Sequence, residues 1–154
     1  DHALIRGCVR ACGSIGEETS IAFNIKRGES ILGRICREGM KCFKGLETFY
    51  LHVHYFAAEK TFAFFVTMAE HSSETEKYLV KITLKDQNDE RKYLANVQNV
   101  ISMDSAPSDR NAVLASENVM FVPWRLMEGF LKWIDDDDGN LASKIYTIID
   151  ILDE

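Results

Sequence analysis

Apolar residues recur at every second position in run after run of this chain, the signature of strands with one buried face. Ile21, Phe23 and Ile25 alternate with Ala22 and Asn24. Phe49, Leu51, Val53 and Tyr55 alternate with Tyr50, His52, His54 and Phe56. Tyr78, Val80, Ile82 and Leu84 alternate with Leu79, Lys81 and Thr83, and Tyr93, Ala95 and Val97 with Leu94, Asn96 and Gln98. Thr61 to Ala69 is nearly all apolar, as a central strand covered on both faces would be. The last run, Ser143 to Leu152, contains KIYTIIDIL. Polar turns separate the runs: Ala58-Glu59-Lys60, Ser72-Ser73-Glu74, Asp86 to Glu90, and Asp138-Gly139-Asn140. Strands spaced every 12 to 18 residues predict an all-β fold, an antiparallel eight-stranded sandwich. Two segments break the pattern. Leu126, Met127, Phe130, Leu131 and Ile134 recur at helical spacing after Pro123, predicting a short helix within 124–133. Ile31 to Glu38 reads as a helical turn.

At 154 residues the chain has the size of one domain. Its apolar content of 46% and charged content of 27% are ordinary globular values, which exclude disorder and coiled coil. The formal charge of −6 repels phosphate backbones, so nucleic acid is not an expected partner. The apolar runs fall short of the roughly 20 residues of a membrane-spanning helix, so no membrane partner is expected either. The chain opens Asp-His-Ala, without Met and without a signal-peptide pattern, and reads as a piece of a longer protein in a cytoplasmic or nuclear setting.

Cys8, Cys12, Cys36 and Cys42 are spaced C-x3-C, 23 residues, C-x5-C. Structural zinc sites favour tighter knuckles, so these four are weak metal candidates and reduced thiols are the expectation. His52 and His54 share a strand face, which reads as a half-exposed polar face rather than a metal pair. The run Asp135 to Asp138 before Gly139 fails the EF-hand spacing, because the first and twelfth ligand positions would be Ile134 and Ile145. It is expected at a solvated hairpin tip. No nucleophile elbow, zinc-protease helix, phosphate loop or dinucleotide fingerprint occurs, and no intrinsic catalysis is expected.

The last third, Asn118-Val119-Met120-Phe121-Val122-Pro123, an apolar helical turn, the loop Gly139-Asn140-Leu141 and the strand Ile145 to Ile151, resembles the closing pattern of MATH/TRAF domains. The middle resembles the substrate-binding domain of the seven-in-absentia (SIAH/SINA) ubiquitin ligases. Cys42-Phe43 precedes the strand Phe49 to Phe56, then come Phe62-Ala63-Phe64-Phe65-Val66 and Tyr78 to Leu84, similar to that family's "YRLEL" strand. Gly16-Glu17-Glu18 resembles its "GED". On this likeness, residues 1–15 are an N-terminal extension, either the end of an upstream zinc-finger region or a first edge strand, and 16–154 the TRAF-like domain. The chain departs from the family at the upstream His-x3-His, of which only His2 is present, and at the tryptophan beside the peptide edge, where Ile35 and Met40 stand.

The resemblance implies a substrate- or adaptor-recognition domain that binds extended degron-like peptides of P-x-A-x-V-x-P type by strand addition. It places the peptide at Ser14, Ile15, Thr19, Ile21, Phe23, Ile35 and Met40. It also implies a homodimer through Tyr146, Ile148, Ile149 and Ile151. Ubiquitin chemistry, contact with a ubiquitin-conjugating enzyme and zinc would belong to an upstream RING region, and this domain would carry no cofactor. A TRAF/MATH-like signalling adaptor or scaffold without ligase activity, and a cysteine-based zinc domain, stand as alternatives.

Overall fold

The computed structural model describes residues 9–14, 16, 18–26, 37–44, 47–56, 58–68, 78–107, 109–135 and 140–153, with side chains at 16, 18, 49–56, 58–68, 78–107, 109–135 and 143–152. The strands are β1 (Val9–Ser14), β2 (Glu18–Lys26), β3 (Arg37–Lys44), β4 (Glu47–Phe56), β5 (Thr61–Met68), β6 (Tyr78–Lys85), β7 (Tyr93–Asn99), β8 (Ile101–Ser102), β9 (Met120–Pro123), β10 (Ile134–Asp135) and β11 (Asn140–Asp153). Two short helices, α1 (Arg110–Ala115) and α2 (Trp124–Phe130), and a 3-10 turn at Met103–Ser105 complete the described elements.

The strands form two sheets. The six-stranded sheet runs β1-β3-β4-β5, and β5 then pairs with β8 along one half and β9 along the other. In the five-stranded sheet β11 pairs with β2 on one side and with β10 and β6 on the other, and β7 follows β6. The fold is therefore the expected all-β sandwich with short helical turns: eight strands of six residues or more, with β8, β9 and β10 as short additions. Pairing is antiparallel except at β1–β3 and β5–β8, which are parallel.

Period two explains the main core directly. Phe49, Leu51, Val53 and Tyr55 of β4 lie in register with Met68, Val66, Phe64 and Phe62 of β5, and all eight are buried. They pack against Tyr78, Val80, Ile82 and Leu84 of β6 and Ile145, Ile149 and Ile151 of β11. Burying a side chain of this size contributes about 1.5–3 kcal/mol, so this layer dominates the fold's stability.

The opposite face of β4 and β5 carries a second core. Phe56, Ala63 and Phe65 pack with Ile101, Val113 and Val119. The segment from β8 through α1 covers this face. Asp109 caps α1 by accepting a hydrogen bond from the Ala112 N–H at 2.8 Å, and the helix buries Val113. The near-continuous apolar run of β5 reflects this double covering, since only Thr61 of its eight residues is not buried.

The structure corrects three expectations. The face carrying His52 and His54 is not a half-exposed polar surface, because His52 is 3% exposed beneath the second layer. The helix after Pro123 stops at Phe130, where Leu131 turns extended, and it buries Met127 and Phe130 while Leu126 and Ile134 stay exposed. Arg37 and Glu38 begin β3 rather than end a helical turn, and 31–36 lie outside the described residues. Residues 136–139 of the acidic run also lie outside them, and β10 and β11 on either side pair as a hairpin.

Candidate functional site: an open sheet edge

Chain topology brings β1 and β2 together at one lateral end of the sandwich, each at the edge of its own sheet. Among the described residues β2 pairs with β11 alone and β1 with β3 alone. Alternate residues of an edge strand direct their N–H and C=O groups away from the sheet, where a further strand can satisfy them. The nine residues of β2 make this a long edge.

Gly16 sets the passage between the two edges. Its φ of +85° is a conformation that glycine adopts without strain, and its N–H donates to the Ile149 carbonyl at 2.7 Å. That bond ties the passage to β11. Glu18, at the start of β2, pairs with Lys85 of β6 at 3.2 Å, across the outer surface of the five-stranded sheet.

Of the peptide-binding candidates, Ser14 ends β1, Thr19, Ile21 and Phe23 lie on β2, and Met40 lies on β3, in register with Ala11 of β1. The fold thus gathers five of the seven at this lateral end, and Ile15 and Ile35 lie outside the described residues. Thr19, Ile21 and Phe23 are in register with Thr147, Ile145 and Ser143 of β11, whose side chains are buried. Ser20 and Ala22 are in register with Tyr146 and Lys144, on the other row.

The four dimer candidates divide between two faces of β11. Ile149 and Ile151 sit in the main core, in register with Ile82 and Val80. Tyr146 and Ile148 are half-buried on the outer row, in register with Lys85 and Thr83. Cys12 and Cys42 fall on neighbouring strands, where Cys42 is in register with Gly13, and Cys8 and Cys36 lie outside the described residues. Among the described residues no group of three or more His, Cys, Asp or Glu could hold a metal ion. Among them also, no helix is long and apolar enough to cross a membrane.

His52 is a strongly perturbed titrating group. Its Nε2 lies 2.8 Å from the Thr67 hydroxyl oxygen, and its ring stacks on Phe65 at 4.6 Å and 8°. Burial, reinforced by neighbouring His54, pushes its pKa down to about 3. The imidazole is neutral and enclosed, which suits a structural hydrogen bond rather than proton transfer with a ligand.

Sequence reasoning did not find Gln98 and Asn118. Gln98 is buried at the rim and donates through Nε2 to the carbonyls of Phe64 at 3.3 Å and Asn118 at 2.8 Å, linking the two sheets. Asn118 in turn accepts from the Asn99 N–H at 3.3 Å. No sequence signal marked Gln98, which shares its phase with Leu94 and Asn96, because the apolar phase of β7, Tyr93, Ala95 and Val97, is the exposed one.

A scan against models of known families finds no match to this chain, and no curated protein matches it.

Proposed function

We propose that this sandwich is a protein-recognition module that takes up an extended peptide by strand addition along β2. The observation that carries the reading is the nine-residue β2, paired with β11 alone among the described residues. Main-chain hydrogen bonds would supply affinity, and the strand positions Ser14, Thr19, Ile21, Phe23 and Met40 of this lateral end are the candidates for selectivity. The resemblance to seven-in-absentia substrate-binding domains extends this reading to recruitment of degron-bearing proteins, in the cytoplasm or nucleus, for a ligase whose RING lies elsewhere. An adaptor without ligase activity would use the same edge. The formal charge of −6 favours peptides with basic flanks through steering of encounter.

Fluorescence polarisation with a labelled P-x-A-x-V-x-P peptide tests the reading. Saturable binding is expected. It should be lost with a scrambled peptide, with an Ile35→Asp variant, and with a peptide N-methylated at the alternate residues that face β2, which can then donate no main-chain hydrogen bond to that edge. Undiminished binding of the N-methylated peptide would exclude strand addition. A folded protein that binds none of them would exclude this peptide class.

A further inference from the structure

The opposite edge of the same sheet points to a different partner. We propose that β7 is a self-pairing edge: a second copy of this chain adds its own β7 antiparallel, about a two-fold axis at Ala95.

The hydrogen-bond pattern defines which groups are open. The Val100 N–H donates to the Tyr78 carbonyl at 3.3 Å, and the Asp86 N–H to the Lys92 carbonyl at 3.1 Å. With Leu79 in register with Asn99, the even-numbered residues of β7 are those that exchange bonds with β6. The main-chain groups of Tyr93, Ala95, Val97 and Asn99 therefore point away from the sheet. The Asn99 N–H is taken by the Asn118 side chain. That leaves Tyr93, Ala95 and Val97 as a short open ladder, with β7 paired to β6 alone among the described residues.

This ladder is complementary to itself. A two-fold axis at Ala95 sets Ala95 against the second copy's Ala95, and Tyr93 against the second copy's Val97. Each pair exchanges both of its main-chain bonds. The small residue sits at the axis. Tyr93 and Val97, 61% and 51% exposed in the single chain, form two aromatic–β-branched pairs beside it. No charge, proline or bulge interrupts Tyr93 to Asn99.

The charges beyond the ladder also match. Exposed Arg91 precedes Tyr93, with its side chain 93% accessible and its Nε 3.6 Å from Asp89 Oδ1. The hydrogen bonds of Asn118 to Asn99 and Gln98 hold the neighbouring, exposed Glu117 at the other end of β7. The same axis brings Arg91 to the second copy's Asn99, and so towards its Glu117, twice by symmetry.

The paired sheet would read β2-β11-β6-β7-β7-β6-β11-β2. Its two β2 edges would lie about 34 Å apart at a spacing of ~4.8 Å per strand. The pairing itself does not depend on what β2 binds. If β2 takes peptides, the dimer is bivalent, and two linked motifs would bind it more tightly than one.

Sedimentation velocity over a concentration series, on the full chain, tests the pairing. The wild type is expected at twice the chain mass. Ala95→Pro removes the outward N–H at the axis and leaves the β6 ladder intact, so it should sediment as a folded single chain. Arg91→Glu should weaken the dimer, and adding Glu117→Arg should restore it. Ile148→Lys, on the outer face two strands away, should leave it unchanged. A wild type that stays monomeric at the highest concentration overturns the proposal. So does an Ala95→Pro dimer, or a dimer lost in Ile148→Lys, which would mean packing through the sheet face. If Ala95→Pro fails to fold, the charge reversal decides: rescue supports the pairing, and no rescue overturns it.

Discussion

His52 and Thr67 meet diagonally across β4 and β5, with the imidazole Nε2 2.8 Å from the threonine hydroxyl, and both side chains are buried. An enclosed imidazole has no water to stabilise a proton, so His52 stays neutral far below its ordinary pKa of 6.5.

Acid stability follows from that shift. Unfolding restores an ordinary imidazole, which binds a proton below about 6.5, whereas the folded group does so only near 3. The unfolded state therefore takes up more protons in that window. The His52 contribution is fully present above 6.5 and is lost as pH falls towards 3, at about 1.4 kcal/mol per pH unit. Urea unfolding at stepped pH from 7 to 5 should show a steeper loss for the wild type than for His52→Leu. Equal slopes would show that His52 does not titrate in this way.

Thr67→Val keeps the shape of the side chain and removes the hydroxyl. It leaves the buried His52 Nε2 without that partner, and the expected loss is about 1–3 kcal/mol. Denaturant unfolding at pH 7 measures it. A neutral substitution would mean that the bond contributes nothing net.

Gln98→Leu fills the same space without the amide. The Phe64 and Asn118 carbonyls then lose a buried donor, with an expected loss of about 1–3 kcal/mol. Amide exchange around Asn118 and Asn99 should quicken, because Gln98 anchors the residue that caps the end of β7. Exchange confined to its wild-type rate would show that the 116–119 segment is held by other contacts.

Two glycines should respond in opposite directions. At Gly16 an added Cβ would meet Asp150 Oδ1 at 3.6 Å, an ordinary contact, so space is not the obstacle. The φ of +85° is, and Gly16→Ala should cost about 1–2 kcal/mol. Gly129 lies in α2 with nothing within 4 Å of its added Cβ, so Gly129→Ala should stabilise by up to about 1 kcal/mol. Thermal melts of the two variants would decide. A shift in the same direction for both would remove the conformational explanation.

Much of the fold was legible in alternation. The phase of β4, β5 and β6 identifies the main core residue by residue, because the two faces of a strand differ and a register slip would exchange them. The unbroken apolar run of β5 likewise signals covering on both sides. Alternation does not say what covers each face. Nothing near His52 in the chain announces that residues 101–119 will fold over it. The spacing of Leu126 and Ile134 with Met127 could not show that α2 ends at Phe130.

The candidate site depended still more on long-range pairing. Strand count and spacing do not reveal that β1 pairs with β3 in parallel, or that β2 and β7 become the two edges of one sheet. Ile148 and Ile149 look alike in sequence, and only register with β6 separates the outer face from the core.

The sequence by itself determined that this chain forms strands and which phase of β4, β5 and β6 is buried, since period-two patterning and side-chain chemistry are local properties. The tertiary structure alone decided which strands pair, which edges stay open and which histidine loses its water. Those outcomes depend on contacts between segments far apart in the chain, and each strand's pattern is compatible with several neighbours.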